Sequence, residues 1–319
     1  MSAPSSPPIA RRLATIDLGS NTVRYLLVDL DGSEGWRVVD EAQRVTRLGE
    51  GLAASGRLQS TPMARTAATV TEYAARAGRL GAREIRIVAT SAVREAANGA
   101  EFAASLERAT GAGVRIVSGE DEARLTVRGV LAALRAVASP LVVFDIGGGS
   151  TEFTRWHDGA VTAATSLRLG VVPLAERYPF PGPVDRARYA ELGREIAERL
   201  ARELPAALVN GPTRTLVGTA GTVTTLAALD LGLTVYDPAR VQGHRLTREA
   251  VDAQLTRLGA LTVEGRAALP CLEPGRADLI VPGLAIVTAA MDRLGVEALT
   301  VSDWSLREGI VAEAAETAS

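Results

Sequence analysis

The sequence predicts an α/β protein made of two related halves, each a mixed β-sheet flanked by helices. Three observations lead there. Apolar, β-branched runs of strand length alternate with helix-period stretches through both halves. A strand, small-residue turn and second strand begin each half. Hydrophobic residues make up 47% of the chain while aromatics make up only 4%, so the core must be assembled from Ala, Val, Leu and Ile. At 319 residues the chain suits two domains of ordinary size rather than one small core.

Taken in order, "MSAPSSPPIA" has neither a basic start nor an apolar stretch, so residues 1–12 are expected to form a flexible tail and not a signal peptide. "LATIDLGSNTVRYLLVDLDG" begins as a strand, breaks at Gly19 to Asn21, resumes as a strand and turns at Asp31-Gly32. A helix near Pro62 to Leu80, the strand "EIRIVAT", a helix near Ala100 to Ala109, the strand "VRIVS" and a helix from Gly119 to about Ala138 follow. "LVVFDIGGGSTEFTRWHDG" then repeats the opening unit through Asp158-Gly159. In a phosphate-binding P-loop or a dinucleotide fingerprint a helix follows the glycines; here a strand does, so this loop is the tip of a hairpin. An amphipathic helix from Asp185 to Leu208, the strand "RTLVG", the loop "TAGT", several helices, the strand "ALTVS" and a closing helix in "SLREGIVAEAAE" complete the chain. The boundary between halves is expected at the helix that begins at Gly119, which would cross between them.

Composition narrows the function. A formal net charge of -2 disfavours a broad nucleic-acid-binding face. All 35 basic residues are arginine, so any cationic contact with an anion is forked and bidentate. The single Cys271 excludes an internal disulfide or a cysteine-rich zinc site and fits a reducing cytoplasm; His157 and His244 are too few for a multi-histidine metal centre. "ADLIVPGLAIVTAAM" is too short for a membrane span and contains Asp278 and Pro282, so a buried helix is expected.

Three segments after apolar strands expose main-chain amides beside hydroxyl or amide side chains: "DLGSN" (Asp17 to Asn21), "DIGGGSTE" (Asp145 to Glu152) and "GTAGT" (Gly218 to Thr222). Such amides form anion-holding concavities. Asp17, Asp145 and Glu152 would repel a phosphate directly, and a divalent cation such as Mg²⁺, which takes one or two carboxylates plus phosphate oxygens, resolves the conflict. In "VSGEDEARL", Ser118 can cap a helix whose first turn holds Glu120, Asp121 and Glu122; one of these acids facing a cleft could orient a water for attack on phosphorus. Spacing does not say which. Arg24, Arg94 and Arg168 lie at strand ends where they could hold phosphate charge, and Arg276 in "PGRAD" has a weaker claim.

Together "DLGSNTVR", "ATSAVRE", "SGEDEARL", "DIGGGSTE", "SLRLG", "VGTAGT", "PGRAD" and "VSDWSLREG" resemble the exopolyphosphatase and guanosine pentaphosphate phosphohydrolase family of the actin, sugar-kinase and Hsp70 fold superfamily. The resemblance runs from about Leu13 to Val311. It implies two actin-like (ribonuclease H-like) domains facing a ligand cleft, the first comprising 13–123 plus the terminal helix 304–319 and the second 124–303, without the HD-type domain of longer members. It implies Glu122 as the catalytic acid/base and Asp145 and Glu152 as metal-linked carboxylates. The expected phosphate-binding set is Asp17, Gly19, Ser20, Asn21, Arg24, Arg94, Gly147, Gly148, Gly149, Ser150, Thr151, Arg168, Gly218, Thr219 and Gly221. The implied activity is release of orthophosphate from inorganic polyphosphate, and conversion of guanosine pentaphosphate to tetraphosphate, with Mg²⁺. Expected partners are these phosphates and, as an assembly, a homodimer, with neither nucleic acid nor membrane. Guanosine pentaphosphate hydrolysis as the main activity, a polyphosphate-to-ADP transferase, a sugar-kinase-like phosphotransferase, a non-catalytic guanosine polyphosphate sensor and a chaperone-like or filament-forming ATPase stand as alternatives.

Overall fold

The unit that begins each half folds as a three-stranded meander in both places. In the computed structural model, which describes residues 11–30, 35–134, 137–211 and 213–316, the first meander is β1 (Arg11–Leu18), β2 (Thr22–Leu30) and β3 (Trp36–Val45). Residues 1–10 of the expected 1–12 tail lie outside the described residues, while Arg11 and Arg12 belong to β1 and not to a tail. The Asp31-Gly32 turn also lies outside them. Next come α1 (Leu52–Ser55), α2 (Ser60–Arg79), β4 (Glu84–Ala89), α3 (Ser91–Glu95), α4 (Gly99–Thr110), β5 (Val114–Ile116) and α5 (Gly119–Ala133). β4 and β5 add parallel strands, giving the order β3-β2-β1-β4-β5.

The second meander is β6 (Leu141–Ile146), β7 (Thr151–His157) and β8 (Ala160–Leu167), with Asp158 and Gly159 at positive φ in the tight turn, as expected for that pair. It is followed by α6 (Val171–Arg177), α7 (Arg186–Glu203), α8 (Ala206–Val209), β9 (Thr215–Thr219), α9 (Ala220–Asp230), α10 (Pro238–Val241), β10 (Arg245–Thr247), α11 (Arg248–Gly259) and α12 (Val263–Ala267). A short 3₁₀ turn at Pro274–Arg276, α13 (Ile280–Leu294), β11 (Ala298–Val301) and α14 (Leu306–Glu316) close the chain. The second sheet runs β10-β11-β9-β6-β7-β8. Read from the meander, both sheets place two antiparallel neighbours on one side and two parallel strands on the other, and the second adds β10 at its edge.

Several boundaries differ from the sequence reading. The helix from Asp185 stops at Glu203 because Pro205 cannot continue it, and α8 is a separate turn. α5 ends at Ala133, short of Ala138. "TAGT" is not a loop: α9 starts at Ala220, whose φ of +68° forms the strand-to-helix corner. β10, only three residues long, adds an edge strand to the expected elements. α13 is buried as expected, and no helix of the described residues is long and apolar enough to cross a membrane.

Burial follows the layers. α2 and α4 cover one face of the first sheet through Val70, Tyr73, Phe102 and Leu106. The face of the second sheet carrying Phe144 and Phe153 packs on α6, α7, α9, α11 and α13. α5 and α14 occupy the space between the sheets: Leu125 joins Val88 and Ile310, while Val127 and Val130 join Leu141 and Val143. The two helices touch backbone to backbone, because a Cβ on Gly129 would fall 2.0 Å from the Ser305 carbonyl oxygen and one on Gly309 would fall 1.8 Å from that of Leu125. This close crossing sets the N-termini of both helices at the junction of the sheets.

Candidate active site

The two hairpin tips meet head to head at that junction. Each is closed by the same hydrogen bond, from Gly19 N to Thr22 O at 3.1 Å and from Gly147 N to Ser150 O at 2.9 Å. Side chains at the second tip are excluded by the first: a Cβ on Gly148 would lie 2.9 Å from Asn21 N, and one on Gly149 would lie 2.5 Å from Ser91 Oγ and 2.8 Å from Ser20 Oγ. Glycine is therefore required there for the close approach of the two tips.

Between the tips lies a narrow cleft of about 100 Å³, lined by residues 19–22 and 147–150, Asp17, Arg24, Glu122, Asp145, the α9 start at Gly221 and Thr222, and Arg276. Ser20 Oγ and Asn21 Oδ1 are buried without a hydrogen-bond partner.

The α5 N-terminus delivers Glu122 to this cleft. Ser118 caps it, its hydroxyl accepting from Asp121 N at 3.1 Å. Glu120 and Asp121 point outward to Arg124, at 3.4 and 3.6 Å, whereas Glu122 is buried. The choice among three acids that spacing left open is thus made by packing. Arg94 Nη1 donates to Glu122 Oε2 at 2.8 Å and to the Val117 carbonyl at 3.0 Å. Burial, with Glu152 nearby, raises Glu122 well above the usual carboxylate range against the opposing pull of Arg94.

Asp17 and Asp145 end equivalent strands and face the narrow cleft, where little water reaches them. Burial pushes Asp17 up to about 7, with Arg24 opposing and Asp145 reinforcing the rise. It raises Asp145 as well, opposed by Arg24 and by the Thr126 hydroxyl at 3.4 Å. Glu152 lies behind them on β7, accepts from Ser166 Oγ at 2.6 Å and is pushed to about 7 by burial and by Asp145. Four acids crowded with so few cations make a site that favours a bound cation. Among the described residues no group of three or more His, Cys, Asp or Glu side chains could hold a metal alone. The donor set fits instead an oxygen-seeking cation that completes its shell with water and phosphate oxygens, as Mg²⁺ does.

The sequence profile of the Ppx/GppA phosphatase family matches residues 27–318. The chain belongs to the Ppx/GppA phosphatase family. Exopolyphosphatase 2 of Mycobacterium tuberculosis is 35% identical over 314 residues, covering 94% of this chain and 97% of the relative. The guanosine-5'-triphosphate,3'-diphosphate pyrophosphatase of Photobacterium profundum is 31% identical over 308 residues, covering 96% of this chain and 60% of that longer protein. The solved Ppx/GppA family member from Aquifex aeolicus superposes with a TM-score of 0.82 at 29% identity, covering 97% of this chain and 98% of that one. The two mixed sheets flanked by helices are the fold of this Ppx/GppA structure, and the chain is of the phosphoric anhydride hydrolase class that the family comprises.

Within this Ppx/GppA cleft not every expected residue is present. Asp17, Gly19, Ser20, Asn21, Arg24, Glu122, Asp145, Gly147, Gly148, Gly149, Ser150 and Gly221 line it. Thr151 is fully buried and donates to the Leu169 carbonyl at 2.5 Å, so it secures the hairpin from behind. Gly218 makes room for the Phe144 ring, and Thr219 donates to the Trp304 carbonyl at 3.2 Å; both support the corner and do not face the cleft. Arg94 holds Glu122, and Glu152 stands one layer back. Arg168 is solvent-exposed, 3.3 Å from Glu95, in a separate groove with Arg177 and Arg199. Conversely Arg276 is in the cleft, lying where a Gly221 Cβ would be and donating to Thr22 Oγ1 at 3.3 Å. Its only sequence signal was its place in "PGRAD".

Proposed function

We propose that this chain is an exopolyphosphatase that hydrolyses the terminal phosphate of inorganic polyphosphate, with Glu122 as the base. The head-to-head hairpins, with an arginine on one, carboxylates on the other and a buried glutamate at their meeting point, carry the reading. Backbone amides of 147–150, the Ser20 hydroxyl, the Asn21 amide and Arg24 hold the oxygens of the terminal phosphate. A divalent cation, Mg²⁺ by its oxygen preference, would be held by Asp145 with Glu152 behind it and would supply neutralisation of phosphate charge. Glu122, whose proton affinity burial raises well above that of an ordinary carboxylate, accepts the proton of the attacking water while Arg94 fixes its carboxylate. The protein's contribution is mostly positioning and charge compensation, which is what phosphoryl transfer requires.

Phosphate release from polyphosphate, with and without Mg²⁺, tests this directly. Glu122→Gln keeps the shape and removes the base, and a loss of roughly 10²-fold or more is expected. Activity within a few-fold of wild type would remove Glu122 from the role. The Photobacterium relative supports a second reading, guanosine pentaphosphate as the main substrate. Side-by-side assays with polyphosphate and guanosine pentaphosphate rank the two.

A further inference from the structure

None of the groups assigned to the reaction comes from "VSDWSLREG", the segment that enters α14. Its polar side chains are nonetheless withdrawn from water: Ser305 and Glu308 are each 2% exposed, and Arg307 exposes 14% of its side chain. A buried acid and its cation persist only when well hydrogen-bonded. Here those bonds run from the helix start to β2.

Glu308 Oε2 accepts from Ser305 N at 2.8 Å, as the third helical residue does in a capping box, and Glu308 Oε1 accepts from Arg307 Nε at 2.6 Å. Arg307 Nη1 in turn donates to the Tyr25 carbonyl on β2 at 3.2 Å. The Ser305 carbonyl accepts from Gly309 N at 3.0 Å and abuts α5 at Gly129. Ser305 is therefore fixed through its own backbone at both ends. It lines the cleft, and its hydroxyl accepts from Arg24 Nη1 at 3.2 Å.

Arg24 makes no ion pair among the described residues. So long a side chain, with no carboxylate to hold it, would sample several rotamers, and gripping a phosphate would require ordering it first. Ser305 supplies that order in advance. We propose that Ser305 and Glu308 are positioning residues for the phosphate grip: Glu308 fixes the Ser305 backbone, and the Ser305 hydroxyl holds the Arg24 guanidinium at the cleft. The inference rests on Arg24 holding phosphate in the proposed hydrolase. Glu308 lines neither the cleft nor a second cavity, of about 550 Å³, that shares Arg24 and Arg276 with it, so it acts through other residues and not on substrate. α14 thus does for Arg24 what α5 does for Glu122.

A double-mutant cycle with Arg24 tests this. With polyphosphate and Mg²⁺, Ser305→Ala and Glu308→Ala should each lower kcat/KM about tenfold. Glu308→Gln, whose amide oxygen can still accept from Ser305 N, should recover to within about threefold of wild type. In an Arg24→Ala background the Ser305→Ala change should cost less than about twofold, because the group it positions is gone. Equal losses in both backgrounds would overturn the proposal, since Ser305 would then act on something other than Arg24. So would a Glu308→Gln variant as impaired as Glu308→Ala. A fall in melting temperature with kcat/KM within about twofold of wild type would reduce Ser305 and Glu308 to a helix cap and overturn it too. Calorimetric binding of tripolyphosphate, without metal, to wild type, Arg24→Ala, Ser305→Ala and the double variant repeats the cycle without turnover. If wild type released no phosphate, the hydrolase reading would fall; non-additive affinities would still support the positioning of Arg24, and additive ones would overturn it.

Discussion

The two hairpins of this protein share a backbone and differ in charge. Asp17 pairs across its strand with Arg24, and Asp145 in the equivalent place pairs with Glu152. The closing hydrogen bonds coincide, and both meanders carry a register shift at corresponding positions, after Leu27 and after Arg155. Under the proposed function, this one cross-strand position would make the first tip the grip for phosphate and the second the grip for a cation.

Reversing that asymmetry should have the largest effect. Arg24→Glu gives the first hairpin the second one's charge, and kcat/KM for polyphosphate is expected to fall by about 10³-fold or more with the fold retained by circular dichroism. A loss under tenfold would mean that the first tip is not the phosphate grip. Glu152→Gln should cost about 10²-fold and raise the Mg²⁺ concentration needed for half-maximal rate; an unchanged Mg²⁺ requirement would separate Glu152 from the cation. Gly149→Ala drives a methyl toward Ser91 and Ser20, and a rate loss of about tenfold is expected from parting the tips. Wild-type rates in that variant would show that the contact is slack.

A fourth prediction concerns pH. Asp17 in the folded chain holds its proton up to about 7, above the ordinary aspartate range. Its contribution to stability is therefore full in acid, below the unfolded pKa, and is lost as pH rises toward 7, where the buried carboxyl must ionise. Without ligand, the melting temperature should decline from pH 5 to pH 8, and Asp17→Asn should flatten that decline; an unaltered slope would contradict the burial of Asp17. The smallest effect belongs to Arg168→Ala, outside both hairpins, with kcat/KM for polyphosphate within about twofold of wild type. A tenfold loss would return Arg168 to the phosphate path.

Much of this was legible in the chain. The strand, glycine turn and strand order of "DLGSNTVR" and "DIGGGSTEF" specified hairpins, because no helical period follows either turn, and the eight motifs specified the family. Arg168 misled because a strand-end position says nothing about which side of the sheet a side chain leaves by. Arg94 and Glu152 were placed in the right neighbourhood but one layer away from the cleft, a difference in depth that spacing does not encode. The "TAGT" segment read as a loop because a helix start and a turn share small residues.

The sequence by itself determined the two α/β halves, the pairing of hairpins and the set of groups available to phosphate and cation. Those follow from local periodicity, turn chemistry and residue type, which act over a few neighbouring positions. The family resemblance singled out Glu122, but only the tertiary structure decided how it turns inward while Glu120 and Asp121 point out, that Arg276 joins Arg24 while Arg168 stays outside, and that a second cavity opens behind them. These are outcomes of how α5 and α14 cross at Gly129 and Gly309 and bring two distant loops tip to tip, which depends on packing between residues far apart in the chain.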